Sequence, residues 1–198
     1  KLDSEILMSH VTQKSRVDII LNLNTNLSNK DIILFENLIK QRSKRKPIAY
    51  LIGKKEFWKY EFSITKDVLI PRPDTEVIID QTLKLTKNKS GLKILDIGIG
   101  SGCVLLSILK ERKNFYGTGI DICKKTLNIC KVNLNKLDLF DRVKLYKSDI
   151  DNFNYGKYDL VVSNPPYIKK FNLKYLDRDV YDYEPKSALN GGLDGLKY

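Results

Sequence analysis

The sequence predicts an α/β fold: a Rossmann-like parallel sheet preceded by a small helical module and a β-hairpin. Three observations carry this. From Lys93 onward, short runs rich in Ile, Leu and Val alternate with longer amphipathic stretches, the rhythm of strands joined by crossover helices. A glycine-rich turn, Gly98-Ile99-Gly100-Ser101-Gly102, follows the first of those runs. Before Pro47, by contrast, apolar residues recur at helical spacing.

Taken in order, Leu2, Ile6, Leu7 and Val11 fall on one helical face, and Val17, Ile20 and Leu21 are expected to continue it. Ser28 should cap a better helix with Asp31 in its first turn and a stripe of Ile32, Phe35, Leu38 and Ile39. Lys40 to Lys46 then puts cations near the negative end of the helix dipole, and Pro47 stops the helix. Nothing in this module has catalytic chemistry. From Ile48 to Ile64, aromatic and β-branched residues in partial alternation predict a hairpin joining two parts. Val68 to Pro73 is extended, because each proline disfavours helix in the residue before it. Asp74 is expected to cap a helix carrying Val77, Ile78, Leu83 and Leu85. Strands follow at 93–97, 116–120, 143–146 and 158–163, with helices at 104–113 and 124–137 lying on both faces of the sheet. Ligands in such folds sit beyond the carboxyl ends of the strands. The loops to inspect therefore begin near Asp96, Asp121, Asp149 and Ser163.

Composition narrows the chemistry. The 198 residues suit one domain with a smaller attachment, and 42% hydrophobic content suits a globular core. Cys103, Cys123 and Cys130 lack CxxC spacing and His10 is the single histidine, which argues against a zinc site or a Ser-His-Asp centre. No metal is expected. No apolar run approaches the ~20 residues that span a bilayer, and Lys1 to Glu5 does not read as a signal peptide. A cytoplasmic location, with no membrane association, is the expectation. The chain opens without Met and stops at Tyr198 without a terminator, so both ends are expected to be truncated. The net charge of +11 invites a polyanionic partner such as the ribosome. The lysines are spread along the whole chain, however, and compositional bias accounts for that pattern too.

The glycine turn has its small residues at alternate positions, which lets backbone approach a ligand closely. A dinucleotide fingerprint would want a small third residue at position 103, where Cys103 stands. The spacing after an acidic strand end instead suits S-adenosylmethionine, with a plain strand-to-helix turn as the alternative. Asp121 can accept from two ribose hydroxyls or cap the next helix. Asp149 can accept from an adenine amino group, with Ile150 against the ring; a simple surface turn competes with that reading. After the fourth strand comes Asn164-Pro165-Pro166-Tyr167. Two prolines stiffen the path, so the Asn164 side chain and the Pro165 carbonyl become a rigid pair of acceptors. Such a pair can grip both N–H bonds of a planar nitrogen and aim its lone pair at an electrophilic methyl, while Tyr167 packs against the planar group.

These motifs resemble the PrmC/HemK family, the protein-glutamine methyltransferases that act on peptide chain release factors. The likeness runs through Glu5-Ile6-Leu7, Pro47 to Leu51, Glu56-Phe57-Trp58, the telling Leu69-Ile70-Pro71-Arg72-Pro73-Asp74-Thr75-Glu76, Asp96 to Gly102, Asp121, Ser163 to Ile168, Glu184-Pro185 and Ala188-Leu189. It implies a Rossmann-like S-adenosylmethionine-dependent methyltransferase sheet at 71–198, a hairpin linker at 48–70, and a helical release-factor-recognition domain at 1–47. It further implies that Gly98, Ile99, Gly100, Ser101, Gly102, Asp121, Ile150 and Asn164 contact the cofactor. Asn164, Pro165, Pro166 and Tyr167 would hold the glutamine amide as the catalytic residues. The partner implied is a release factor met by a monomer, without need for nucleic acid. Nucleic-acid amino-methyltransferases share the Asn-Pro-Pro-Tyr loop, and ribosomal-protein glutamine methyltransferases share sheet and loop. A cofactor-binding scaffold without turnover is the non-enzymatic alternative.

Overall fold

Apolar side chains settle into two cores, and that division sets out the architecture. The computed structural model describes residues 1–22 and 24–197. Leu23 and Tyr198, which fall within the expected helical and methyltransferase domains, lie outside the described residues.

The N-terminal module has four helices, α1 (Leu2–Thr12), α2 (Arg16–Leu21), α3 (Asn29–Ser43) and α4 (Ile48–Ile52), and the smaller core is built by α1, α3 and α4. Leu7, Val11 and Leu38 form its centre, with Phe35, Ile39, Ile48, Leu51 and Ile52 around them. Ser28 caps α3 as the sequence indicates, its Oγ accepting from the Asp31 amide at 3.2 Å. Two expectations fail in this module. The first helix does not run on: Gln13 turns left-handed at φ 54, and Ser15 restarts the chain through a reciprocal capping box with Asp18. Val17, Ile20 and Leu21 are consequently exposed. Residues 48–52 are helix, where a strand was expected. Pro47 has its N–H-free nitrogen at the N-cap, and Gly53 ends the turn at φ 74. Ile48, Leu51 and Ile52 stand at i, i+3 and i+4, and that face joins the helical core.

The hairpin is therefore shorter than expected, β1 (Lys54–Phe57) against β2 (Tyr60–Ser63). Its turn places Trp58 at φ 56, a conformation rare for a bulky residue. The cost is offset by docking: the Trp58 amide donates to Glu76 at 2.7 Å and its indole N–H to Glu111 at 3.1 Å. Phe57, Phe62 and Ile64 enter the larger core.

That core lies under a sheet of four parallel strands, β3 (Lys93–Ile97), β4 (Tyr116–Asp121), β5 (Val143–Lys147) and β6 (Leu160–Ser163), in the order β5-β4-β3-β6. Helix α5 (Glu76–Leu85) leads into the sheet, α6 (Cys103–Glu111) joins β3 to β4, and α7 (Lys124–Lys136) joins β4 to β5. Asp74 does not cap α5; it sits inside a 3₁₀ turn, Pro73–Thr75, that runs straight into the helix. Helices were expected on both faces of the sheet. Both crossovers step in one direction, so right-handed connections place α6 and α7 on one face, over Ile94, Val143 and Val162. On the opposite face Val161 is 54% exposed. Beyond β6 the described chain adds one short helix, α8 (Arg178–Tyr183), between 3₁₀ turns. Among the described residues no helix is long and apolar enough to cross a membrane.

One side chain welds the hairpin to the sheet. Asn133 of α7 is fully buried. Its amide donates to the Ser63 and Ser101 carbonyls at 3.0 and 2.9 Å and accepts from the Ser63 amide at 2.6 Å. Removing it strands three backbone groups, one buried at Ser101 and two half-buried at Ser63. Asn133→Leu is expected to lower stability by about 3 kcal/mol, read as a lower urea midpoint with an unchanged slope. A midpoint equal to that of the parent would show that water replaces the amide there.

Candidate active site

The geometry of the site follows from one pairing. Ile97, the last residue of β3, is the register partner of Ser163, the last residue of β6. Ser163 Oγ also donates to the Ile97 carbonyl at 2.8 Å. Neighbouring strands lie about 4.8 Å apart, so the glycine turn and the Asn164 loop leave the sheet side by side. The winding also reverses here, because the chain steps outward through β4 and β5 and then returns to the other side of β3. Crevices at such reversals are the usual ligand sites of open α/β sheets.

The glycine turn divides into two faces. Gly98 and Gly100 adopt φ 73 and 59. A Cβ built on Gly98 would meet nothing, and one on Gly100 only the Gly98 carbonyl at 3.9 Å, so open space lies beyond both. The other members turn inward. Ile99 is 4% exposed, and its Cδ1 fills the space a Cβ on Gly119 would need, 2.1 Å from it. Ser101 is buried, and its carbonyl receives Asn133. A Cβ on Gly102 would lie 2.8 Å from both Cys130 Sγ and Leu106 Cδ1, so this glycine lets α6 and α7 close together. Of the five turn residues, Gly98 and Gly100 are the ones with open space beside their backbone.

Asp121, at the end of β4, holds the turn in shape. Its Oδ2 accepts from the Gly100 amide at 3.2 Å and its Oδ1 from the Cys123 amide at 2.9 Å. Burial raises its pKa, with those two amides opposing the shift. Asp149 is exposed, and its Oδ1 accepts from the Asn152 backbone and side chain at 2.9 and 2.7 Å, the surface-turn arrangement. Ile150 beside it is also exposed. Asp96 is buried at the tip of β3, and its Oδ2 has no hydrogen-bond partner. Burial pushes its pKa up to about 8; the Leu105 amide opposes this and nearby Asp121 adds to it.

In the second loop Asn164 is half-buried while Tyr167 is 71% exposed. Asn164 Nδ2 donates to Thr75 Oγ1 at 3.2 Å. Thr75 belongs to a site it was not assigned to, and the reason is distance along the chain: 89 residues separate the partners. Glu184 was missed in the same way. Buried at 4% exposure, it accepts from the Ile70 amide at 3.2 Å and pairs with Arg72, fixing the extended stretch that delivers Thr75.

Similarity to known proteins now bears on this arrangement. Residues 1–53 match the PrmC N-terminal domain and residues 75–176 the methyltransferase small domain. The first match ends at the glycine that terminates α4. A release factor glutamine methyltransferase of Caulobacter vibrioides is 37% identical over 98% of this chain and 68% of its own length. One from Clostridium acetobutylicum is 39% identical over 99% of this chain and 70% of its own. This chain belongs to the release factor glutamine methyltransferase family. A bifunctional methyltransferase of Rickettsia typhi is 36% identical over the whole of this chain but only 42% of its own length, so the same unit also occurs within a larger protein.

The state of Asp96 can be tested by pH. An acid whose native pKa lies above its unfolded value keeps its proton longer when folded, so stability falls as pH rises between the two. For Asp96 that window runs from 3.8 to about 8. In the ligand-free protein, Asp96→Asn should gain on the parent in urea midpoint from about pH 5 to about pH 8. A difference that stays constant with pH would mean that Asp96 is already ionised in the fold.

Proposed function

We propose that this chain transfers a methyl group from S-adenosylmethionine to the side-chain amide nitrogen of the glutamine in the Gly-Gly-Gln motif of peptide chain release factors. Family membership supports the reaction class. The observation that carries the assignment to these residues is the pairing of Ile97 with Ser163, which sets the glycine turn beside the Asn164 loop. On this reading residues 1–47, extended to Gly53 by α4, help engage the factor, the hairpin links, and 71–198 hold cofactor and substrate.

The residues present fit the cofactor. Gly98 and Gly100 present backbone without side-chain obstruction. The Asp121 oxygens each take one amide and keep a lone pair for a ribose hydroxyl. Asp149 and Ile150, just beyond β5, are the residues proposed for the adenine, and the orphaned Asp96 Oδ2 adds a polar atom beneath the turn. When bound, S-adenosylmethionine supplies a methyl group on a positively charged sulfur.

The chain's own work is positioning. An amide nitrogen is a poor nucleophile because its lone pair is delocalised into the carbonyl. With its NH₂ engaged by Thr75, Asn164 offers Oδ1 as an acceptor, and the Pro165 carbonyl is the second. Two acceptors holding the two N–H bonds favour a pyramidal nitrogen, and the charge that develops on those N–H groups strengthens both contacts. Tyr167, an exposed side chain, covers the planar amide and excludes water. Orientation of this kind is worth up to about 7–11 kcal/mol. One proton then leaves to solvent.

Full-length protein incubated with cofactor and a release factor should place one methyl on the Gly-Gly-Gln glutamine, located by peptide mass spectrometry. Labelled methyl appearing in nucleic acid, with the factor untouched, would replace this reading with that of a nucleic-acid amino-methyltransferase. Asn164→Ala should lower kcat by about 10²–10³ with cofactor affinity retained. Thr75→Val should cost about tenfold, and Thr75→Ser should restore the rate. Full turnover in Asn164→Ala would remove that residue from the mechanism.

A further inference from the structure

The acceptor loop is clamped from outside the sheet by a segment that the function so far leaves without a role. The Ile168 amide donates to the Leu189 carbonyl at 3.1 Å, the Gly191 amide to the Ile168 carbonyl at 2.9 Å, and the Lys170 amide to the Gly192 carbonyl at 2.8 Å. Ile168 and Asn190 thereby form an isolated parallel bridge.

The glycines of this segment show how tight the clamp is. A Cβ on Gly191 would sit 2.7 Å from the Pro166 carbonyl oxygen and 2.9 Å from Tyr167 Cα; one on Gly195 would sit 2.6 Å from the Tyr167 carbonyl oxygen. Apart from the Gly195 carbonyl oxygen, 2.8 Å from the Gly191 Cβ, these obstacles are backbone of the Asn-Pro-Pro-Tyr loop, with no flexible side chain to swing aside. Gly191 is not in the left-handed region, so crowding alone demands glycine there. Gly195, at φ 89, is required on both counts. Gly192 provides the contrast: its φ is 88, and the three atoms nearest a Cβ there all belong to Lys197, with Lys197 Cβ at 2.8 Å, so the push falls first on Lys197 rather than on the Asn-Pro-Pro-Tyr loop.

We propose that residues 189–195 are a brace that sets where the Asn164 and Pro165 acceptors stand, with Gly191 and Gly195 as its positioning residues. The inference rests on the reading of the loop given above. Two consecutive prolines cannot absorb a displacement by rotating φ, so a push on Pro166 or Tyr167 is passed to the acceptor pair next to it. Segment 189–195 thus tunes the reaction without touching substrate or cofactor.

Gly191→Ala, Gly195→Ala and Gly192→Ala in the full-length protein separate this from a purely structural role. The first two should lose about 100-fold in kcat, the scale of an ångström-sized misplacement, with cofactor affinity unchanged. Gly192→Ala carries the same backbone strain as Gly195→Ala and should stay near parental turnover. Amide exchange gives a second readout: Ile168 should exchange faster in Gly191→Ala and Gly195→Ala and not in Gly192→Ala. Equal turnover losses in all three variants, or parental kcat in Gly191→Ala and Gly195→Ala, would overturn the brace. If the parent itself methylated no glutamine, the functional reading would fall, and exchange at Ile168 alone would decide the brace.

Discussion

Everything at the site depends on the parallel pairing of β3 with β6. Without it the two loops would belong to separate regions of the chain, 62 or more residues apart in sequence. The pairing ends with Ser163 Oγ on the Ile97 carbonyl, so the strands stop together and neither loop can slide along the other. A one-residue slip would turn every side chain of β6 to the opposite face, exposing Val162 and carrying Asn164 away from the glycine turn. The register that builds the sheet is therefore also what sets the two loops side by side.

Around that pairing, tethers reach the acceptor loop from distant parts of the chain. Thr75 holds the Asn164 amide from the N-terminal side, and Glu184 fixes the stretch before Thr75 through Ile70 and Arg72. The segment from Leu189 onward holds Ile168 from the C-terminal side. Asn133, beneath the glycine turn, fastens Ser101 to the hairpin. A loop of two prolines and an asparagine has little shape of its own beyond stiffness. Its direction comes from these contacts.

What the sequence disclosed follows from the range of the forces involved. The strands and crossover helices were legible because their apolar patterns are local and long enough to show a period. The glycine turn and the Asn164 loop were legible because glycine and proline restrict backbone wherever they occur. Residues 48–52 misled because Tyr50, Leu51 and Ile52 suit a strand by propensity, while the helical core claims Ile48, Leu51 and Ile52. The inward turning of Ile99, Ser101 and Gly102 could not be read, since it depends on Gly119, Asn133 and Cys130 arriving from α7 and β4. Thr75, Glu184, Gly191 and Gly195 were hidden for the same reason. Their partners are chosen by the fold, although the cluster of glycines at 191, 192 and 195 was in plain view.

The placement of Trp58 has an experimental consequence. It is the single tryptophan of the chain, and its two N–H groups bind carboxylates on two different sheet helices, Glu76 at the start of α5 and Glu111 at the end of α6. Its emission therefore reports the seating of the hairpin on those helices and is remote in sequence from the Asn164 loop. The protein carries a built-in optical label for one assembly step, and unfolding followed by fluorescence will register that step rather than events at Asn164.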